Sequence, residues 1–166
     1  MSPLWLSIEV AALALVNIVV VGLFLNFLLK RYKFRGKTFI DSILTLPLVL
    51  PPVVVGFALL IVFSPGNSFG SWLQANGLGV VFTKAGAVLA SSIIGLPLFY
   101  QTVRSALDSI DPSVEDVART LGATEVRIFF TISMPLAWKG ILTGAILAFS
   151  RALGEFGATI LIAGNI

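Results

Sequence analysis

Long apolar runs alternate with short polar segments along this chain. Four of the apolar runs approach or exceed the roughly 20 residues that a helix needs to cross a bilayer. They are predicted to span at residues 10–29, 43–63, 85–100 and 138–163. The pattern predicts an all-α integral membrane protein with about four transmembrane helices, in which residues 1–166 are expected to form a single domain.

The longest polar segment, residues 111–135, lies between the third and fourth runs and predicts two short amphipathic helices. Asp111 can cap the first helix, with Pro112 at its first position and Gly122 just past its end. Thr124 can cap the second helix. Short amphipathic helices between membrane spans are suited to lie in a groove of another protein.

The first of these helices is predicted to carry an apolar stripe. The stripe follows the i, i+3, i+4, i+7 spacing and consists of Val114, Val117, Ala118 and Leu121. Glu115 and Asp116 fall near the helix start, where the helix dipole favours acidic side chains. Adjacent helix residues point about 100° apart, so a solvated face fits them better than an acid/base pair. Arg119 either grips carboxylates of a partner or is solvated. On the second helix, Val126, Phe129 and Phe130 share one face.

Basic residues define the predicted topology. A run without acidic residues follows the first apolar run and contains Lys30, Arg31, Lys33, Arg35 and Lys37. The positive-inside rule therefore places this loop and the segment 111–135 in the cytoplasm, with both termini of a four-span chain outside. Such a basic run could also bind nucleic acid or anionic lipid, but its position against a span favours a role in topology.

Composition agrees with a membrane protein and excludes several chemistries. The chain is 57% hydrophobic and 11% charged, whereas soluble domains carry about 25% charged residues. It has no cysteine and no histidine, which excludes disulfides, thiolate or imidazole metal ligands, and Ser-His or Cys-His catalysis. No catalytic residue, metal or cofactor is predicted. The net charge of +3 does not indicate a nucleic-acid partner, because the basic residues gather at membrane edges.

Prolines and charged residues inside the apolar runs are candidates for a translocation pathway or gate. Pro47, Pro51 and Pro52 predict a kinked second span, which either lines a pathway or is an ordinary packing kink. Arg151 and Glu155 are four residues apart in the last run, where ionisable side chains are costly. They form either an anion path or a structural ion pair.

Small residues recur every four positions in the last run. They are Gly140, Gly144, Ala148 and Ala152. Such a stripe lets two helices approach closely, so it predicts helix packing.

The segment 111–135 resembles the coupling loop of ABC importer permeases. The signature of that loop is Glu-Ala-Ala, three residues, Gly, nine residues, Ile, one residue and Leu-Pro. Gly122, Ile132 and Pro135 keep this spacing. The Glu-Ala-Ala triplet falls on residues 116–118, where only the last letter matches, and Met134 replaces the leucine.

Three further stretches resemble the molybdate permeases within that family. They occur in the same order along the chain, at residues 46–56, 118–123 and 151–159, the last followed by 163–166. Sulfate permeases share the Ala-Arg-Thr-Leu-Gly run and a Gly-Glu-aromatic-Gly element, so sulfate or thiosulfate import is the nearest alternative. These residues do not separate tungstate from molybdate.

The resemblance implies a type I ABC importer permease fold and transport by alternating access, without enzymatic chemistry in this chain. It implies a permease homodimer, two cytoplasmic ATPase subunits and an extracytoplasmic oxyanion-binding protein, in the lipid of a prokaryotic cell membrane. The implied ATPase-coupling residues are Val114, Glu115, Asp116, Val117, Ala118, Arg119, Leu121, Gly122, Phe129, Phe130, Ile132 and Pro135. Members of the family continue with a further span, so this chain is expected to lack its last one.

Two hypotheses of other classes compete with transport. A non-transporting membrane scaffold subunit would keep the docking loop and the apolar runs. A membrane enzyme is disfavoured because the chain has neither histidine nor cysteine and shows no clustered carboxylate site.

Overall fold

The computed structural model describes residues 3–31 and 36–154, and every regular element within these ranges is helical. The elements are α1 (Pro3–Arg31), α2 (Lys37–Val49), α3 (Pro52–Phe63), α4 (Ser68–Ala75), α5 (Lys84–Asp108), α6 (Pro112–Thr120), α7 (Glu125–Ile128), a π-helical turn (Phe129–Ser133), α8 (Met134–Leu136) and α9 (Trp138–Leu153). This confirms the predicted all-α class.

Helices α1, α5 and α9 pack together and form the core. Helix α5 lies at the centre of this core, and its residues Ile94, Phe99 and Tyr100 expose 1% or less of their surface. Ile18 of α1 and Ala148 of α9 pack against the same region. In contrast, the opposite side of α1 is apolar and exposed, which is typical of a surface that meets lipid.

The predicted small-residue stripe on α9 is confirmed as a packing surface. A Cβ atom built on Gly140 would lie 2.2 Å from the Cβ of Ala106, and one on Gly144 would lie 3.2 Å from the Phe99 ring. Because these positions have no side chain, α9 approaches α5 closely enough for backbone and ring to touch.

Two described helices are long and apolar enough to cross a membrane, at Trp5–Arg31 and Lys84–Asp108. They correspond to the first and third predicted spans. Two bent helix pairs bring the number to four if each pair is one span. The fourth predicted span, residues 138–163, begins with α9 and continues beyond the described residues.

The prediction of a single kinked helix for the second span is wrong. Helices α2 and α3 are bent by 116° at the break between them. Pro51 caps α3 and Pro52 is its first residue, while Pro47 is tolerated inside α2. Leu50 is extended (φ −75°, ψ 140°), as expected for a residue that precedes a proline. The Pro51-Pro52 pair therefore ends one helix and starts another.

The segment between α3 and α5 contains a helix that its turn-forming composition did not predict. Asn67 caps helix α4, and its side chain accepts a hydrogen bond from the Gly70 N–H at 2.8 Å. Trp72 on this helix is exposed. One well-placed cap is thus enough to start a short helix among many glycines.

Gly140→Ala should destabilise the protein, because the new methyl group would collide with Ala106. Overpacking of this kind costs about 1–3 kcal/mol, which exceeds the gain in helix propensity from alanine. The measurement is the thermal unfolding midpoint of detergent-purified protein. Gly66→Ala is the control, since the nearest atom to its new Cβ is 3.6 Å away. A Gly140→Ala midpoint at or above that of the parent would contradict this packing.

Candidate functional site

Local hydrogen bonds define the two helices of the segment 111–135. The Asp111 carboxylate accepts a hydrogen bond from the Ser113 N–H at 2.9 Å, and this bond lowers the pKa of Asp111. Gly122 follows the end of α6 with φ +82°, a backbone region that favours glycine. Thr124 caps α7 by accepting from the Arg127 N–H at 3.4 Å. The predicted helix boundaries are confirmed.

The predicted apolar stripe of α6 divides into a buried and an exposed part. Ala118 is buried, whereas Val114, Val117 and Leu121 expose 42%, 59% and 82% of their surface. We call these three residues the exposed apolar face of α6. Helix α6 therefore exposes aliphatic side chains although it is not one of the two helices that are long enough to cross a membrane.

The second half of the segment also divides in this way. Phe129 is buried against Phe27 of α1, with ring centroids 5.1 Å apart, and Phe130 is exposed. Ile132 is half-buried in the π-helical turn and Pro135 is exposed in α8. Phe129 thus anchors the segment to α1, and the shared face predicted for Phe129 and Phe130 is wrong because Phe129 is buried whereas Phe130 is exposed.

Glu115 is buried, with 6% of its surface exposed. Its carboxylate forms an ion pair with Lys30 of α1 and accepts a hydrogen bond from the Ser133 hydroxyl at 2.7 Å. The prediction of a solvated position is therefore wrong for Glu115. Helix α6 lies against the end of α1 and the π-helical turn, so this side of α6 faces protein rather than water.

Several effects act on the protonation of Glu115. Burial raises its pKa, but the hydrogen bonds from Lys30 and Ser133 and the positive charges of Lys30 and Arg119 outweigh burial. The net pKa of Glu115 is below its ordinary value. The side chain is therefore a buried carboxylate at neutral pH.

Arg119 joins α6 to α7. Its guanidinium donates two hydrogen bonds to the Glu125 carboxylate, at 2.6 and 3.1 Å, and one to Asp116 at 2.6 Å. These bonds raise the pKa of Arg119 and lower the pKa of Glu125. Arg119 thus binds carboxylates of its own chain, which neither of its two predicted roles included. We call Arg119, Asp116 and Glu125 the α6–α7 clamp.

A cleft of about 530 Å³ lies between the end of α1, the helices α6 and α7, and the π-helical turn. The charged residues in its lining are Lys30, Arg31, Glu115, Arg119 and Glu125. Both signs are present and several of these residues are paired with one another. The cleft therefore lacks the one-sided positive charge of an oxyanion site.

The candidate pathway residues lie on two separate parts of the fold. Pro47, Pro51 and Pro52 surround the break between α2 and α3. Arg151 is half-buried in the last turn of α9. Glu155, its predicted partner, lies outside the described residues.

A polar cluster that sequence reasoning missed connects α2 to α5. Asp41 accepts a hydrogen bond from the Tyr100 hydroxyl and forms an ion pair with Arg104. Arg104 also donates to the Tyr100 hydroxyl at 3.1 Å. The i, i+4 spacing of Tyr100 and Arg104 was a signal for their own contact, but nothing in the pattern indicated Asp41, which is 59 residues away from Tyr100.

Residues 18–166 match the family described as binding-protein-dependent transport system inner membrane component. The chain is 46% identical over 162 residues to the molybdenum transport system permease protein ModB of Escherichia coli (strain K12), covering 97% of this chain and 71% of that protein. It is 41% identical over 168 residues to the putative molybdenum transport system permease protein YvgM of Bacillus subtilis (strain 168), covering 99% and 73%. It is 38% identical over 147 residues to the sulfate transport system permease protein CysT of Escherichia coli (strain K12), covering 89% and 53%.

Acid should weaken the attachment of α6 to α1. A carboxylate whose pKa is lower in the folded than in the unfolded chain stabilises the fold at neutral pH. For Glu115 this contribution is complete above the ordinary value of 4.5 and is lost as the pH falls through the lower folded-state pKa. The thermal midpoint of the parent should therefore fall more than that of Glu115→Gln between pH 7 and pH 3.

The glutamine variant is the control because other carboxylates titrate in both proteins. The difference between the two midpoints isolates the contribution of Glu115. A difference that stays the same from neutral to acid pH would contradict a stabilising Glu115 carboxylate.

Proposed function

The chain belongs to the family of inner membrane components of binding-protein-dependent transport systems, and we propose that it is the permease subunit of an ATP-driven molybdate importer. The observation that carries the proposal is the greater similarity to molybdenum permeases than to a sulfate permease, over a larger share of the chain. The chain is a multi-pass protein of a prokaryotic cell membrane and not an enzyme, since a separate ATPase hydrolyses ATP.

Transport by such a subunit requires an ATPase on one side of the membrane and a binding protein on the other. The binding protein delivers the anion, and the permease opens to one side at a time. Each ligand shifts the permease between states only by binding one state more tightly than the other. The permease therefore contributes an alternating pathway, and ATP supplies the free energy.

We propose that the exposed apolar face of α6 is the surface on which the ATPase docks. Val114, Val117 and Leu121 expose aliphatic side chains on a helix too short to cross a bilayer. A small apolar patch with charged neighbours is typical of a protein-binding site. The α6–α7 clamp holds the two short helices in a fixed relation, which reduces the ordering cost of docking.

A second copy of the chain and lipid are the proposed neighbours of the membrane-facing surface. Helix α3 exposes Val53, Phe57 and Ile61, and an apolar surface of this kind is stable only against lipid or another apolar surface. A permease homodimer would cover part of this surface and enclose a pathway between the two copies.

The anion pathway is proposed to include the α2–α3 break and Arg151. The break leaves backbone carbonyls of α2 without helical partners, which a membrane protein tolerates where they face a cavity or other protein. A cation in an apolar run is a suitable group to meet an oxyanion. Glu155 belongs to the same proposal, as the partner that would neutralise Arg151 between transport steps. Replacing Arg151 with leucine in the uptake assay below tests its part.

Anion uptake tests the proposed function. The chain is expressed with its ATPase and binding protein in cells that lack their own molybdate and sulfate importers. We expect labelled molybdate to enter in an ATP-dependent manner, and excess sulfate should not block it. Sulfate uptake would assign the chain to the sulfate permeases. If an assembled complex moves neither anion, the chain is a scaffold subunit.

Leu121→Glu should weaken ATPase binding at least about tenfold. Leu121 exposes 82% of its surface, and burial of a leucine side chain contributes about 1.5–3 kcal/mol, where about 1.4 kcal/mol corresponds to a factor of ten. The measurement is the Kd between the solubilised permease and its ATPase.

Thr120→Glu is the matched control for this substitution. It adds the same charge next to Leu121, on an exposed residue that lies about 100° around the axis from Leu121 and at least about 60° from Val114 and Val117. We expect the Kd of this control to stay within about twofold of the parent, compared with the loss of at least about tenfold expected for Leu121→Glu. Equal losses in both variants would argue against docking through this face.

A further inference from the structure

Three elements meet at the buried carboxylate of Glu115. Lys30 comes from the last turn of α1, Glu115 from the first turn of α6, and Ser133 ends the π-helical turn that leads to α8 and α9. One oxygen of Glu115 accepts from both Lys30 and Ser133. Lys30 also donates to the Leu107 carbonyl at the end of α5, at 3.5 Å. The Glu115 side chain thus connects α6 directly to α1 and to the π-helical turn, and through Lys30 to the end of α5.

We propose that Lys30, Glu115 and Ser133 form a rigid tie that transmits movement of α6 to the membrane helices, with Glu115 as its positioning residue. This inference rests on the proposed function, because it assumes that an ATPase moves α6. The tie lies between elements of this chain, because the Glu115 carboxylate is buried and bonds to Lys30 and Ser133. It determines whether displacement of α6 carries α1 and α9 with it.

Apart from the α6–α7 clamp, helix α6 has few other attachments to the rest of the fold. Glu115 and Ala118 are the only buried residues of α6. The Ala118 side chain is a methyl group and cannot form a directional hydrogen bond. On its C-terminal side α6 is followed by Gly122 at φ +82°, a position without side-chain restraint. Without the tie, an ATPase bound to the exposed apolar face would move α6 against the membrane helices rather than with them.

The chemistry of the tie makes it stiff. Hydrogen bonds to a carboxylate from an ammonium group and a hydroxyl are short and about twice as strong as neutral ones. Because Glu115 is buried, separating it from Lys30 would remove its closest counterion and leave only the more distant Arg119 guanidinium, at 3.5 Å. The lowest-energy response to a displacement of α6 is therefore that Lys30 and Ser133 follow.

The α6–α7 clamp has a different role. Arg119 and Glu125 expose 41% and 35% of their side chains, and exposed pairs contribute little to stability. The clamp joins two parts of the same loop, whereas the tie joins this loop to the membrane helices. The two ion-pair groups line one cleft and meet where Arg119 donates to Glu115 at 3.5 Å, but they connect different elements.

Helix α1 is suited to carry such a displacement across the membrane. It has 29 residues and is therefore about 44 Å long. Ala11, Ala14 and Ile18 are buried along its length, in the two clusters that also contain residues of α5 and α9. A shift at Lys30 therefore reaches the opposite end of the core through close-packed contacts.

The test is the amount of anion imported per ATP hydrolysed, measured for the complete importer in proteoliposomes. In Glu115→Gln we expect the Kd for the ATPase to stay within about twofold of the parent. ATP hydrolysis should continue, while the ratio of import to hydrolysis should fall at least about fivefold, an allosteric coupling loss of ordinary size. A parent-like ratio in Glu115→Gln would overturn the tie.

Matched variants separate coupling from assembly. Asp108→Asn makes the same carboxylate-to-amide change on an exposed residue at the end of α5, and its ratio should equal that of the parent. Lys30→Met should lower the ratio as Glu115→Gln does, and Lys30→Arg should restore it. A merely structural role would reduce the amount of assembled complex but leave the ratio per complex unchanged.

A distance measurement tests the tie without transport. The chain contains no cysteine, so Thr120→Cys in α6 and Val20→Cys in α1 place spin labels at two defined sites. ATP should leave the distance between the labels unchanged in the parent and alter it in Glu115→Gln. An ATP-dependent change of equal size in both proteins would overturn the tie.

These outcomes keep the tie distinct from the proposed function. If the parent imports sulfate instead of molybdate, the function is reassigned and the ratio is measured with sulfate. If the parent imports neither, the proposed function fails and the distance measurement alone decides. If Glu115→Gln does not assemble, Ser133→Ala removes one hydrogen bond from the tie, and an unchanged ratio in that variant would overturn it.

Discussion

Close contact between α5 and its neighbours α1 and α9 supports the rest of this structure. In lipid, helices gain little from the hydrophobic effect when they associate, so packing and hydrogen bonds must hold them. Gly140 and Gly144 let α9 approach Ala106 and Phe99 of α5, and Ala148 is completely buried. The resulting core positions both the segment 111–135, which leaves from the end of α5, and α9, which receives it.

At this end of the core, ion pairs rather than apolar packing hold α6 in place. Helix α6 has an exposed apolar face that needs a partner, so it cannot also bury that face against its own chain. Its attachment therefore relies on the opposite side, where Glu115 meets Lys30 and Ser133. A docking helix that must transmit force benefits from this division, because the binding surface and the attachment use different side chains.

In the α2–α3 pair, too, a polar contact holds an element that buries little apolar surface. The Pro51-Pro52 pair prevents a continuous helix, and α2 has no buried residue. Its Asp41 is nevertheless held by Tyr100 and Arg104 of α5. A polar contact thus fixes an element that apolar packing leaves loose. The least packed elements are those in which movement has the lowest energetic cost.

Local sequence determined the features that depend on neighbouring residues. Continuous apolar length predicted α1 and α5, capping residues predicted both ends of α6 and the start of α7, and the spacing of small residues predicted the α9 contact. The motif around Gly122 predicted the family. Each of these signals acts through the backbone or through the next turn of a helix, so it is present in the sequence before the chain folds.

Only the tertiary structure decided which side of α6 is buried, how far α3 turns from α2, and which residues pair across the core. Glu115 looked like a solvated residue because its environment is set by Lys30 and Ser133, which are 85 and 18 residues away. Asp41 gave no signal for the same reason. A helical period reports which residues share a face, but the neighbour that meets that face is determined by the packing of distant elements.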